Sequence, residues 1–65
     1  MGQGFYGELR ALLLSAGCTF VRQGAGSHEI WQSPISQKRF SVPVTVASRF
    51  TANAILKQAG IVHKM

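Results

Sequence analysis

Apolar residues recur along the chain at two different periods. Phe5, Leu9, Leu12, Leu13 and Ala16 fall at helical spacing and form one stripe over three turns. Gly17 follows, and a glycine just past a helix supplies its left-handed closing turn. The spacing predicts a first helix over Tyr6 to Ala16. Thr19-Phe20-Val21-Arg22-Gln23 is rich in strand formers, and Gly24-Ala25-Gly26 then interrupts it as a turn or bulge would. Ser27 to Gln32, with Ile30 and Trp31, reads as a second strand. Ser33-Pro34-Ile35-Ser36-Gln37 reads as a hairpin loop, since proline cannot donate to a ladder and serine favours turns. Lys38 to Val44 alternates, with Phe40, Val42 and Val44 toward one side and Arg39, Ser41 and Pro43 toward the other. Pro43 marks an edge or the end of pairing. Ala52, Ile55, Leu56 and Ala59 recur at i, i+3, i+4 and i+7, which predicts a second helix over Arg49 to Ala59. Ser48 or Thr51 would cap it and Gly60 would stop it. The tail Ile61 to Met65 is expected to pack briefly and then fray.

The predicted order is helix, three strands, helix. Short connections make the strands an antiparallel meander, and two helices with one apolar stripe each cover one face of the sheet. The expected fold class is therefore α+β, an α-β-β-β-α unit with a three-stranded antiparallel sheet and two helices on one face, its other face wet. This order is that of double-stranded-RNA-binding domains, though a fold does not fix a function. The chain has 65 residues, so residues 1–65 are expected to form one domain with no room for a deep cofactor cavity, a Rossmann fold or a barrel. A hydrophobic share of 46% excludes a disordered tail. The apolar run Ala11 to Leu14 is far too short to cross a bilayer. No basic head precedes a long apolar segment, so no signal peptide is expected, and Tyr6 breaks the myristoylation pattern of the first residues. The single cysteine, Cys18, excludes an internal disulfide and a cysteine-based zinc site, and reads as a small core residue. Stability by packing alone fits a reducing cytoplasm.

Charge adds the first hint of function. Seven Lys and Arg against two acids leave a formal charge of +5. That excess fits a polyanionic partner such as nucleic acid as well as it fits plain solubility. The basic residues Arg10, Arg22, Lys38, Arg39, Arg49, Lys57 and Lys64 are scattered, so any patch must be made by the fold. His28, in Gly26-Ser27-His28, is the one histidine inside the predicted ordered region. Histidines as a class titrate near pH ~6.5 and exchange protons at neutrality. RNA cleavage needs little more than that. A base takes the proton of a ribose 2′-hydroxyl, which attacks the adjacent phosphate in line. An acid protonates the departing 5′-oxygen, and cations stabilise the developing charge. Gly26 lets backbone approach a phosphate, and Ser27 can bind its oxygens. A histidine beside a glycine is also, commonly, only a surface or capping residue. Strand parity leaves two arrangements open. Either a bulge at Gly24–Gly26 turns His28 out while Ile30 enters the core, or Ile30 faces outward with His28 and Trp31 is core. Trp31 itself suits either packing or stacking on a base. Other chemistries fail: the chain has no aspartate for a Ser-His-Asp triad, Glu8 and Glu29 are too few to hold a metal, His63 lies in the tail, and Gly24-x-Gly26 does not extend to a phosphate-binding fingerprint. No metal and no small-molecule cofactor is expected.

Gly17-Cys18-Thr19-Phe20-Val21-Arg22-Gln23-Gly24-Ala25-Gly26-Ser27-His28-Glu29-Ile30-Trp31 resembles the signature of HicA-type toxins, also called the YcfA family. Phe40-Ser41-Val42-Pro43-Val44 and Ile55-Leu56-Lys57-Gln58-Ala59-Gly60-Ile61 resemble that family's third strand and second helix. The likeness runs from about Phe5 to Val62. It implies a toxin of a bacterial toxin–antitoxin pair with a double-stranded-RNA-binding-like fold. Such toxins are mRNA interferases, which cut mRNA without the ribosome and arrest translation. The resemblance also implies a catalytic histidine at His28 and a HicB-type antitoxin partner that covers the active face. The chain departs from the family where Phe50-Thr51 replaces the common Gly-Thr pair, and where Ala52, Asn53 and Ala54 replace more basic residues. The resulting expectation is a metal-independent endoribonuclease with His28 as general acid/base. Gly26 and Ser27 would position the phosphate, and Arg22, Lys38 and Arg39 would hold backbone phosphates, with Lys57 a weaker candidate. The alternatives are a non-catalytic RNA-binding module of the same fold and a protein-interaction domain whose basic face serves an acidic partner. No membrane partner is expected.

Overall fold

A computed structural model describes residues 4–65 of the chain. Its elements run α1 (Tyr6–Ser15), β1 (Thr19–Gln23), β2 (His28–Gln32), β3 (Arg39–Pro43) and α2 (Arg49–Gln58), which is the predicted order. The strands form one antiparallel sheet in the order β1-β2-β3.

Both helices end in the way their glycines imply. Past α1, Gly17 takes φ +89°. Its N–H bonds to the Leu14 carbonyl at 3.0 Å, and that of Cys18 to Leu13 at 2.9 Å. Past α2, Gly60 takes φ +78°, and the N–H groups of Gly60 and Ile61 bond to Lys57 at 3.0 Å and Leu56 at 2.9 Å. Each end is a Schellman motif, which satisfies carbonyls that a helix terminus otherwise leaves bare. At its start α2 is capped by Ser48, whose Oγ accepts from the Phe50 N–H at 3.2 Å. No side chain caps α1, but the Phe5 N–H bonds to the Val46 carbonyl at 2.8 Å and ties the helix entry to the segment after β3.

The core lies between the helices and one face of the sheet. Leu9 and Leu13 of α1, Trp31 of β2, Phe40 and Val42 of β3, and Ala52, Ile55, Leu56 and Ala59 of α2 are buried together with Cys18 and Val46. Each fully buried leucine or valine adds ~1.5–3 kcal/mol over leaving it in water. Trp31 is 1% exposed and meets the ring of Phe20 edge to face, with centroids 6.1 Å apart. Its role is packing, not stacking on a base.

Three details differ from the sequence expectation. Strands β2 and β3 are shorter than predicted, because Ser27 belongs to the preceding turn and Lys38 and Val44 lie just outside β3. The irregularity of the sheet sits within β1, between Phe20 and Arg22, and not at Gly24–Gly26. The tail does not simply fray: the Met65 N–H donates to Asn53 Oδ1 at 2.8 Å, and Met65 packs against the core.

Candidate functional site

The pairing of β2 and β3 places His28 opposite Pro43, Ile30 opposite Ser41, and Gln32 opposite Arg39, while Glu29 and Trp31 oppose the buried Val42 and Phe40. Residues opposite one another share a face. His28, Ile30, Gln32, Arg39, Ser41 and Pro43 therefore occupy the face away from the helices. The parity question is settled by Trp31: its large side chain takes the core, and Ile30 goes outward with His28.

On β1, Phe20 opposes Trp31, but Arg22 rather than Val21 ends opposite Ile30. Val21 is the extra residue of a β-bulge. Uninterrupted pairing would have set Arg22 against Glu29 on the helix side. With the bulge, Arg22 joins the open face, diagonal to His28, where strand neighbours stand ~7–8 Å apart.

His28 opens β2 directly after a tight turn. Its N–H donates to the Ala25 carbonyl at 3.1 Å, and Gly24 N–H donates to the His28 carbonyl at 2.8 Å. Gly26 at the turn has φ +60°, a conformation that glycine reaches without strain. The Gln23 side-chain amide braces the loop, donating to the carbonyls of His28 at 2.9 Å and Gly26 at 3.2 Å. Gly26, Ser27 and His28 are all exposed. On the open face, His28 Nδ1 and Ser41 Oγ lie 2.9 Å apart and share a hydrogen bond, whose donor depends on the imidazole tautomer.

Arg39 is on the same face at the other end of the sheet, four residues along the register or about 13 Å from His28. Its Nε donates to Gln32 Oε1 at 3.4 Å. Lys38, just before it, is exposed at that same end. The structure thus brings Gly26, Ser27, His28 and Arg22 together, with Arg39 and Lys38 farther along the sheet. Lys57 does not join them. It lies on α2, in the helical layer, and lines a groove of about 560 Å³ with Phe50, Ala54 and Val62.

Neither acid of the chain is on the open face. Glu8 is in the first turn of α1, and Glu29 points toward the helices, where its Oε1 accepts from Tyr6 Oη at 2.7 Å and from Trp31 Nε1 at 3.0 Å. Burial, and then the hydrogen bond to Glu29 and its charge, push the Tyr6 hydroxyl above its ordinary pKa of 10.0, with Arg10 opposing. Among the described residues no group of three or more His, Cys, Asp or Glu is placed to hold a metal ion, and no helix is long and apolar enough to cross a membrane.

Sequence reasoning placed Ser41 on the face of Arg39 and Pro43 but gave it no role. No local signal marks it: a loop confined to Ser33–Gln37 would pair Ser41 with Glu29 on the other face, and the observed register, one residue longer, pairs it with Ile30 instead.

Residues 6–61, nearly the whole chain, match the family model of the HicA toxin of bacterial toxin-antitoxin pairs. The chain belongs to the HicA toxin family. It is accordingly a toxin component whose partner is an antitoxin. No curated protein and no solved structure matches the chain. The family match spans all five elements of the fold, including the turn that carries His28 and the strand that carries Ser41.

Proposed function

We propose that this HicA toxin is an endoribonuclease that cleaves mRNA and arrests translation, with His28 as general acid/base and a HicB-type antitoxin as its partner. The observation that carries this reading is an exposed imidazole on a sheet face that bears Arg22 and Arg39 and neither of the chain's acids. A phosphodiester backbone meets attraction across such a face.

The chemistry follows from the substrate. The nucleophile is the ribose 2′-hydroxyl of the RNA itself, so neither a metal-bound water nor a covalent enzyme intermediate has to be generated. The imidazole takes the 2′-hydroxyl proton, the 2′-oxygen bonds to the adjacent phosphorus, and the bond to the 5′-oxygen breaks as that oxygen takes a proton from water, the imidazolium then returning its own proton to solvent. The products are a 2′,3′-cyclic phosphate and a 5′-hydroxyl end. Arg22 neutralises charge that builds on the phosphoryl oxygens, and the turn at Gly26 and Ser27 lets backbone approach the phosphate. Lys38 and Arg39 hold the flanking strand.

The test uses purified protein, labelled RNA and excess chelator. The native protein is expected to yield fragments ending in cyclic phosphate and to leave the same sequence intact when its riboses are 2′-O-methylated. His28→Ala should retain the native melting curve and lose ~10²–10⁴-fold in cleavage rate. Salt-sensitive binding without fragments would instead identify a non-catalytic RNA-binding module.

A further inference from the structure

We propose that Ser41 is the positioning residue of the His28 imidazole, holding Nδ1 so that Nε2 is the nitrogen presented to RNA. The proposal rests on the nuclease reading of His28 and names the group that orients it. Pro43, directly opposite His28, offers the ring no hydrogen-bonding side chain. The next residue of β3 on the same face is Ser41, and its Oγ is 2.9 Å from Nδ1. Among the described residues, it is the side chain that reaches this ring by a hydrogen bond.

A hydroxyl suits the task because it both donates and accepts. When Nε2 is bare and acts as base, Nδ1 carries the proton and Ser41 accepts it as a hydrogen bond. After Nε2 takes a proton the ring is an imidazolium, Nδ1 still donates, and the same contact persists. One geometry therefore spans the proton transfer, with no rotation of the ring between its two states. The tether also reduces the ring's freedom to turn about its side-chain bonds. Arg22 from β1 is the charged side chain that faces His28 on this surface. Ile30 on its own strand and Pro43 and Ser41 on β3 are uncharged.

Ser41→Ala and Ser41→Thr form the decisive pair, read by imidazole ¹⁵N NMR of His28 and by RNA cleavage kinetics. Ser41 is exposed, so both variants are expected to fold with native melting curves. In Ser41→Ala the Nδ1 and Nε2 signals should move toward an averaged tautomer, kcat should fall about 5–10-fold and KM should stay within about twofold. Ser41→Thr, which keeps the hydroxyl on a strand-compatible side chain, should restore both readouts. His28 nitrogen signals that are unchanged in Ser41→Ala overturn the proposal whatever the kinetics show. A threonine variant that behaves like alanine overturns it as well. If the native protein cuts no RNA, the nuclease reading falls, and the ¹⁵N comparison alone decides whether Ser41 holds the ring.

Discussion

His28 and Glu29 are adjacent in sequence and lie on opposite sides of one sheet. That single alternation separates the chemistry of the molecule from its packing. Glu29 is a half-buried carboxylate, and such a group is tolerated only when its oxygens have partners. Tyr6 and Trp31 are those partners, and through them α1 is pinned to β2. The contact requires a protonated phenol. Because the folded pKa of Tyr6 is raised, its contribution is complete below the unfolded value near pH ~10 and is lost as pH climbs through the folded value. Thermal melts from pH 8 to 11 should therefore show native protein losing stability more steeply than Tyr6→Phe above pH ~10. At pH 8 the phenylalanine variant should be the weaker by about 1 kcal/mol. Parallel curves across the whole range would exclude this role for Tyr6.

At the level of elements, the loop between β2 and β3 is more than a connection. Ser33 is fully buried. Its hydroxyl donates to the Ala59 carbonyl at the end of α2 and accepts from the N–H groups of Ile35 at 3.1 Å and Ser36 at 3.4 Å. One hydroxyl thus closes a turn and locks that turn onto a helix terminus. Gly60 completes the junction, since a Cβ there would stand 2.8 Å from Ile35 Cγ2. Ser33→Ala strands the helix carbonyl and the loop N–H groups together. A loss of ~1–3 kcal/mol is expected, which for a domain of this size is roughly 4–20 °C in Tm, with m-value unchanged in urea titration. The sequence showed Ser33 only as a turn former. Its burial depends on where α2 ends in space, which no local pattern records. The helices were more legible, because Gly17, Gly60 and two apolar stripes each act within a few residues. The face of His28 was not, because Ile30 and Trp31 compete for the core with equal local propensity. The competition is resolved by Phe40 and Val42 across the sheet and by Glu29, which needs Tyr6. Ser41 became visible as a partner only once the two strands were in register.

Across the whole molecule, charge is arranged in layers. Arg22 and Arg39 mark the open sheet face, and Lys57 sits in the helical layer. The shortest dimension of the molecule is 17 Å, about twice the screening length of ~8 Å at physiological salt. A strand of RNA on the open face should therefore sense Arg22 and scarcely sense Lys57. Arg22→Ala is expected to flatten the plot of log affinity against log salt by ~0.7, the loss of one phosphate contact to a single strand. Lys57→Ala should leave the slope unchanged within error, as read by fluorescence anisotropy with His28→Ala protein to prevent turnover. Equal losses in both variants would show that the RNA wraps the helical layer too. Arg22 holds its position because the surplus residue in β1, Val21, stays unpaired. Were Val21 to pair in step with Ile30, Arg22 would shift to the Glu29 register on the helix side, whereas deleting Val21 removes the bulge and leaves Arg22 opposite Ile30. The site therefore depends on pairing register as well as on residue types: the open face keeps its guanidinium as long as position 21 stays out of the ladder.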